Sequence, residues 1–111
     1  MIAKTPDLSC YAVIFTSIRT DGDNGYDEMA DKMVELAKNQ PGFLGIESVR
    51  NQLGITISYW SDLESIQQWR DHSDHQIARG KGKEIWYQQF TTRIAKVERE
   101  YSFEKQINEE S

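Results

Sequence analysis

An α+β sandwich, a four-stranded antiparallel sheet with helices on one face, is the fold this sequence predicts, and three observations carry it. Runs rich in β-branched and aromatic residues occur in four places. Two stretches with three- and four-residue apolar spacing separate the first run from the second and the third from the fourth. The chain of 111 residues is long enough to bury one core and too short for two. The order strand, helix, strand, strand, helix, strand is that of a ferredoxin-like βαββαβ unit. We expect a single domain over residues 1–111, with its core at 10–103 and a polar tail at 104–111.

Each element has its own justification. Tyr11 to Arg19 reads as a strand buried on both sides, with Tyr11, Val13 and Phe15 on one face and Ala12, Ile14 and Ile18 on the other. The turn-forming run Thr20 to Gly25 breaks it and offers Asp23 or Asn24 as a helix cap. Tyr26, Met29, Met33 and Leu36 or Ala37 then form an apolar stripe, and Pro41-Gly42 ends that helix by Gln40. Phe43 to Arg50 and Ile55 to Tyr59 alternate about a turn at 51–54, which predicts a hairpin. Ser61 and Glu64 have the spacing of a capping box, so a second helix starts there and buries Leu63, Ile66 and Trp69. Ser73-Asp74-His75-Gln76 repeats that spacing, predicting a helix in two pieces, broken near Asp71 and restarted at Asp74. The last strand is expected over Thr91 to Phe103.

Charge and composition remove several classes of function. Thirteen basic against eighteen acidic residues give a net charge of -5, the wrong sign for gripping phosphates, so no nucleic-acid partner is expected. An RNA-binding domain of the same element order also needs a basic, aromatic strand that this chain lacks. The longest apolar run, Tyr11 to Phe15, is far short of the roughly 20 residues that span a bilayer, so no membrane segment is expected. A single cysteine, Cys10, and an N-terminal stretch without an apolar core point to the cytoplasm. Helices on one face leave the other face of the sheet oily, so we expect a symmetric homodimer with its sheets packed face to face.

Candidate chemistry concentrates between Gly54 and Tyr87, which holds all three tryptophans and both histidines. His72 and His75 are three apart, but a zinc site takes three or four protein ligands and no third histidine or paired cysteine completes one; no metal site is expected. On an unbroken helix His72, His75 and Arg79 face away from the Leu63, Ile66, Trp69 stripe; a fresh start at Ser73 turns His75 toward a cavity. Trp69 fits the core stripe, whereas Trp60 and Trp86 serve equally well as core or as surfaces for a flat ligand. Glu47 lies on the alternation of Phe43 and Val49, where it is either a buried acid with a raised pKa or an edge residue in water. Arg79, Lys81 and Lys83 around Gly80 and Gly82 match no nucleotide-binding loop. Cys10, at a strand start, reads as a small buried hydrophobe.

The pieces QPGFLGIESVR, ISYWSDLESIQQWRDHSDHQIARGKGKEIWY and RIAKVEREYSF together resemble the antibiotic biosynthesis monooxygenase domain family, from about Tyr11 to Phe103. Pro41-Gly42-Phe43, Tyr59-Trp60, Trp69 and His75 carry the resemblance. It implies a dimeric α/β barrel that oxidises aromatic phenols or quinols with molecular oxygen and uses no cofactor, neither metal nor flavin. The haem-degrading relatives place a histidine where this chain has Arg79, and an asparagine in the first strand where this chain has none, so haem cleavage is disfavoured. The expected function is a cofactor-independent monooxygenase acting on a small aromatic molecule. His75 is its catalytic base, and Trp60, Trp69, Arg79 and Glu47 bind substrate. The competing expectation is a dimer of the same shape that binds a hydrophobic molecule without catalysis.

Overall fold

The computed structural model describes residues 2–5, 9–79 and 83–106, the side chains of residues 75–79, 83 and 84 lying outside that description. Four strands, β1 (Cys10–Arg19), β2 (Phe43–Arg50), β3 (Gly54–Trp60) and β4 (Tyr87–Val97), form one sheet in the order β2-β3-β1-β4. Every neighbouring pair is antiparallel. Helices α1 (Tyr26–Lys38) and α2 (Leu63–Arg79) cover one face, and a short α3 (Lys83–Trp86) leads into β4. This is the expected ferredoxin-like sandwich. Among the described residues no helix is long and apolar enough to cross a membrane.

The register decides which side chains meet the helices. Val13 of β1 sits between Ser58 and Ile94, and Phe15 between Thr56 and Thr92; these rows face the helix layer. Ile14 sits between Ile57 and Arg93, and Ala12 between Tyr59 and Ala95, on the opposite face. A register shift between Phe43 and Gly45 turns Phe43 to the helix side, where its ring meets Trp60 edge-on at 5.5 Å. Gly42 makes this approach possible: its φ of 82° is left-handed, and an added Cβ would lie 2.6 Å from that of Ser65. Trp60, Ile66, Trp86 and Ala37 form the buried centre. Trp86 belongs to the core, its indole N–H donating to the Asn24 carbonyl at 3.0 Å.

Four details differ from the expectations, each for a local reason. Asp62, not Ser61, caps α2: its Oδ1 accepts the Ser65 amide at 2.7 Å, while the Ser61 hydroxyl donates to Oδ2 at 3.0 Å. At α1 the Asp23 carboxylate does take first-turn amides, from Gly25 at 3.0 Å and Asp27 at 3.1 Å, but the residue at the cap position is Gly25. The second helix is unbroken through Ser73, because the Ser73 hydroxyl donates to the Arg70 carbonyl of its own helix at 3.1 Å instead of starting a new one. Its buried side runs through Ser65, Ile66, Trp69, His72 and Ser73, which leaves Leu63 54% exposed.

The last strand is the fourth difference. It starts at Tyr87 and stops at Val97 because β1, its partner, offers ladder positions only from Arg19 to Cys10. Beyond it the chain leaves the sheet, and Tyr101 and Phe103 are 88% and 83% exposed. The helix-free face is largely open in one chain, with Val49 68% exposed. Residues 2–5 cross one corner of it, where Ala3 rests on Gly45 and its amide donates to the Glu47 carboxylate at 3.2 Å.

Candidate functional site

Between the helices and the covered face lies a cavity of about 440 Å³. Its two walls differ in chemistry because they come from differently patterned elements. The sheet contributes hydroxyls from Ser48, Thr56, Ser58 and Thr92 beside Val13 and Phe15. Those of Ser48 and Thr56 lie 2.8 Å apart, and that of Ser58 accepts the Trp60 indole N–H at 2.9 Å. The helices contribute Met29, Met33, Val34, Ile66 and Trp69. At one end α2 adds the polar Arg70, Ser73 and Asp74, and the sheet adds Ile46, Phe90 and Ile94. A flat molecule entering this slot thus meets mostly methionine, aliphatic and ring surface from the helices and hydroxyls set among apolar groups from the sheet, an arrangement that suits an aromatic ligand.

One end of the site is built from a row of rings. Phe43 meets Trp60 edge-on, Trp60 stacks on Trp69 at 6.0 Å and 24°, and Trp69 meets His72 at 5.9 Å and 35°. Trp60 is wholly buried and supports Trp69, which lines the cavity itself. The structure therefore brings Trp60 and Trp69 together, with Trp69 and not Trp60 at the cavity. It also brings in His72, which sequence periodicity had placed in water. With Leu63 off the buried side, the stripe is centred near Trp69, and a residue three further on is its neighbour. The His72 Nε2 is buried without a hydrogen-bond partner among the described residues.

Of the remaining candidates, one is placed elsewhere. Glu47 lies on the helix-free face, where it accepts the Tyr59 hydroxyl at 2.6 Å, so it does not join the tryptophans. Burial first, and that hydrogen bond second, push the Tyr59 phenol up to about 12. His75 and Arg79 ride on the last turns of α2, and their side chains lie outside the described residues. Cys10 is buried; burial, then the nearby Glu100 carboxylate, push its thiol up, with the Thr5 hydrogen bond acting the other way, as suits an inert packing residue. No group of three or more potential metal-binding side chains occurs among the described residues. The hydroxyl wall escaped the sequence reading, although its signal was there: Ser48, Thr56 and Ser58 share one phase of two paired strands.

Comparison with known proteins agrees with this architecture. The chain is 47% identical over 110 residues to the uncharacterized protein YqjZ of Bacillus subtilis (strain 168), covering 97% of this chain and 96% of that protein. The crystal structure of PA3566 from Pseudomonas aeruginosa superposes with a TM-score of 0.65 at 16% identity, over 87% of this chain and 100% of that one. SnoaB from Streptomyces nogalater, a cofactor-independent oxygenase, superposes with a TM-score of 0.60 at 10% identity, over 87% of this chain and 98% of that one. At such identities these two structures establish the shared fold. The family model for antibiotic biosynthesis monooxygenase matches residues 10–81, from the first residue of β1 to just past α2. With that match and the YqjZ identity over nearly its whole length, the chain belongs to the antibiotic biosynthesis monooxygenase family.

Proposed function

We propose that this protein is a monooxygenase, independent of metal and flavin, that oxidises a flat phenolic or quinol-type molecule held between its helices and sheet. The observation that carries the reading is the two-sided cavity, with methionines and Trp69 above and serine and threonine hydroxyls below. Such a slot orients an oxygenated ring system, stacking its face and hydrogen-bonding its edge. Trp69 stacks on the substrate, Trp60 holds Trp69 in place, and Arg79 steadies negative charge as it develops.

In this scheme His75 takes the phenolic proton, which a histidine of ordinary pKa near 6.5 can do at neutral pH. The phenolate then passes one electron to oxygen, and the resulting radical pair joins as a peroxide. His75 returns its proton to this peroxide. Loss of water, which takes the hydrogen of the same carbon and breaks the O–O bond, leaves a new carbonyl, so the substrate is oxidised, one oxygen atom stays in the product and the other departs in water. Glu47, on the far side of the sheet, has no part in this step. Its place is at the surface where a second copy of the chain packs, completing a homodimer through the helix-free face.

The test is oxygen uptake with anthrone- and quinol-type substrates, comparing the native protein with His75→Ala. We expect uptake by the native protein and a loss of about a hundredfold in the variant, the usual worth of a positioned base. Equal rates would remove His75 from the mechanism. Binding of these molecules with no uptake would leave a dimer that carries them without catalysis.

A further inference from the structure

We propose that Arg50, backed by Arg19, forms an anion-binding subsite just outside the Tyr26 wall of the cavity, and that the molecule the cavity accepts is a flat aromatic bearing a carboxylate at one edge. The inference rests on the cavity reading above and adds the charge of the occupant. The register puts Arg50 in place: Ser48, Thr56 and Phe15 form one cross-strand row of the cavity wall, and Arg50, Gly54 and Ser17 form the next row of the same face, just beyond the lining residues. Gly54 lets the guanidinium lie flat on the sheet, since an added Cβ there would collide with its carbon and nitrogens. From that position Arg50 donates to the hydroxyl of Ser17, which is buried.

Two cations converge here. The Arg19 guanidinium carbon stands 3.6 Å from the centre of the Tyr26 ring, and that of Arg50 stands 5.7 Å from the same ring, which itself lines the cavity. Neither is ion-paired among the described residues, where Lys38 with Glu35 is the pair found. Arg19 donates to the backbone carbonyls of Trp86, Gly22 and Asp23, all neutral acceptors, while the Asp23 carboxylate is engaged by the Gly25 and Asp27 amides. Arg50 is exposed and has donors to spare. Two guanidiniums held on one ring, with no acid ion-paired to either among the described residues and Asp74 the acid that lines the cavity, favour an anion beside Tyr26. The Tyr87 phenol registers this field: burial, then Tyr26, push it up, while Arg50 and Arg19 pull it down. The planar fork of an arginine matches a carboxylate, so the preferred occupant carries one.

The experiment is a fluorescence titration with two probes of the same ring system, anthracene carboxylate and anthracene methanol, at low salt. The native protein should bind the carboxylate about tenfold more tightly, as a charge-assisted contact allows. Arg50→Gln should abolish that preference and leave the alcohol's affinity unchanged, whereas Arg50→Lys, which keeps charge but not the fork, should lose part of it. Equal native affinity for the two probes overturns the anion subsite while the cavity reading stands. So does an equal loss of both in Arg50→Gln. Failure of both probes to bind overturns the subsite and the cavity reading together.

Discussion

The two faces of the sheet carry comparable aliphatic side chains yet differ in what surrounds them. On the covered face Val13 and Phe15 stand beside hydroxyls, and two helices roof them without closing the space, so a cavity remains. On the other face Ile14 neighbours Ile57 and Arg93, and Ala12 neighbours Tyr59 and Ala95; among the described residues its roof is residues 2–5 at one corner. A face that mixes hydroxyls with rings suits a small polar aromatic guest, whereas a face of aliphatic side chains suits another sheet. The difference shows that side-chain alternation in β1, β2 and β3 gives the two sides of the sheet different chemistry, on which the proposed ligand and partner sides rest.

The comparison can be broken from either side. The largest effect should come from Trp60→Ala, which empties the most deeply buried site of the covered face and removes the support of Trp69. A cost of about 3–5 kcal/mol is expected in urea denaturation. Ile57→Lys should act on the opposite face alone: sedimentation should show dimers replaced by monomers, with dissociation strengthened at least about a hundredfold, as for a charge placed in an apolar interface. A monomeric native protein would overturn the use assigned to that face.

Tyr59→Phe removes the hydrogen bond to Glu47 and should cost about 1 kcal/mol at neutral pH. Because the folded protein holds the phenol proton up to about 12 against an ordinary 10.0, the native advantage is complete below pH 10 and fades as pH rises through about 12. The smallest effect belongs to Asp62→Ala, a helix cap in the covering layer. The Ser65 amide, first among its hydrogen bonds, holds the Asp62 carboxyl below its usual range. The native protein should thus be the more stable at neutral pH, and the gap should close as pH falls through that depressed value. Thermal melts across a pH series check both.

Much of the fold was legible because patterns of period two and of three to four residues map directly onto elements. β2 came out with its observed bounds, and α1 nearly so. Trp69 was legible as part of the buried stripe of α2, whereas its stacking on Trp60 depends on a strand end feeding a helix. What was not legible depended on partners distant in sequence. The bounds of β4 follow from the length of β1, which no window around Thr91 contains. The second capping box at Ser73 was a true spacing without a cap, since a serine inside a helix satisfies itself on its own turn. His72 was misjudged because the buried stripe was phased on Leu63, an exposed residue. Arg50 gave no signal at all: its role depends on Gly54, Ser17 and Tyr26, brought together only by the sheet register and the first turn of α1.

The central claim is that the covered face receives the aromatic molecule and the other does not. Methyl-labelled protein titrated with a soluble anthraquinone, followed by two-dimensional NMR, reports on both faces in one spectrum. The account predicts shifts at Val13, Val34, Met33 and Ile66 and quiet signals at Ile14, Ile55 and Ile57. Shifts concentrated at the latter three, with the former unmoved, would contradict it.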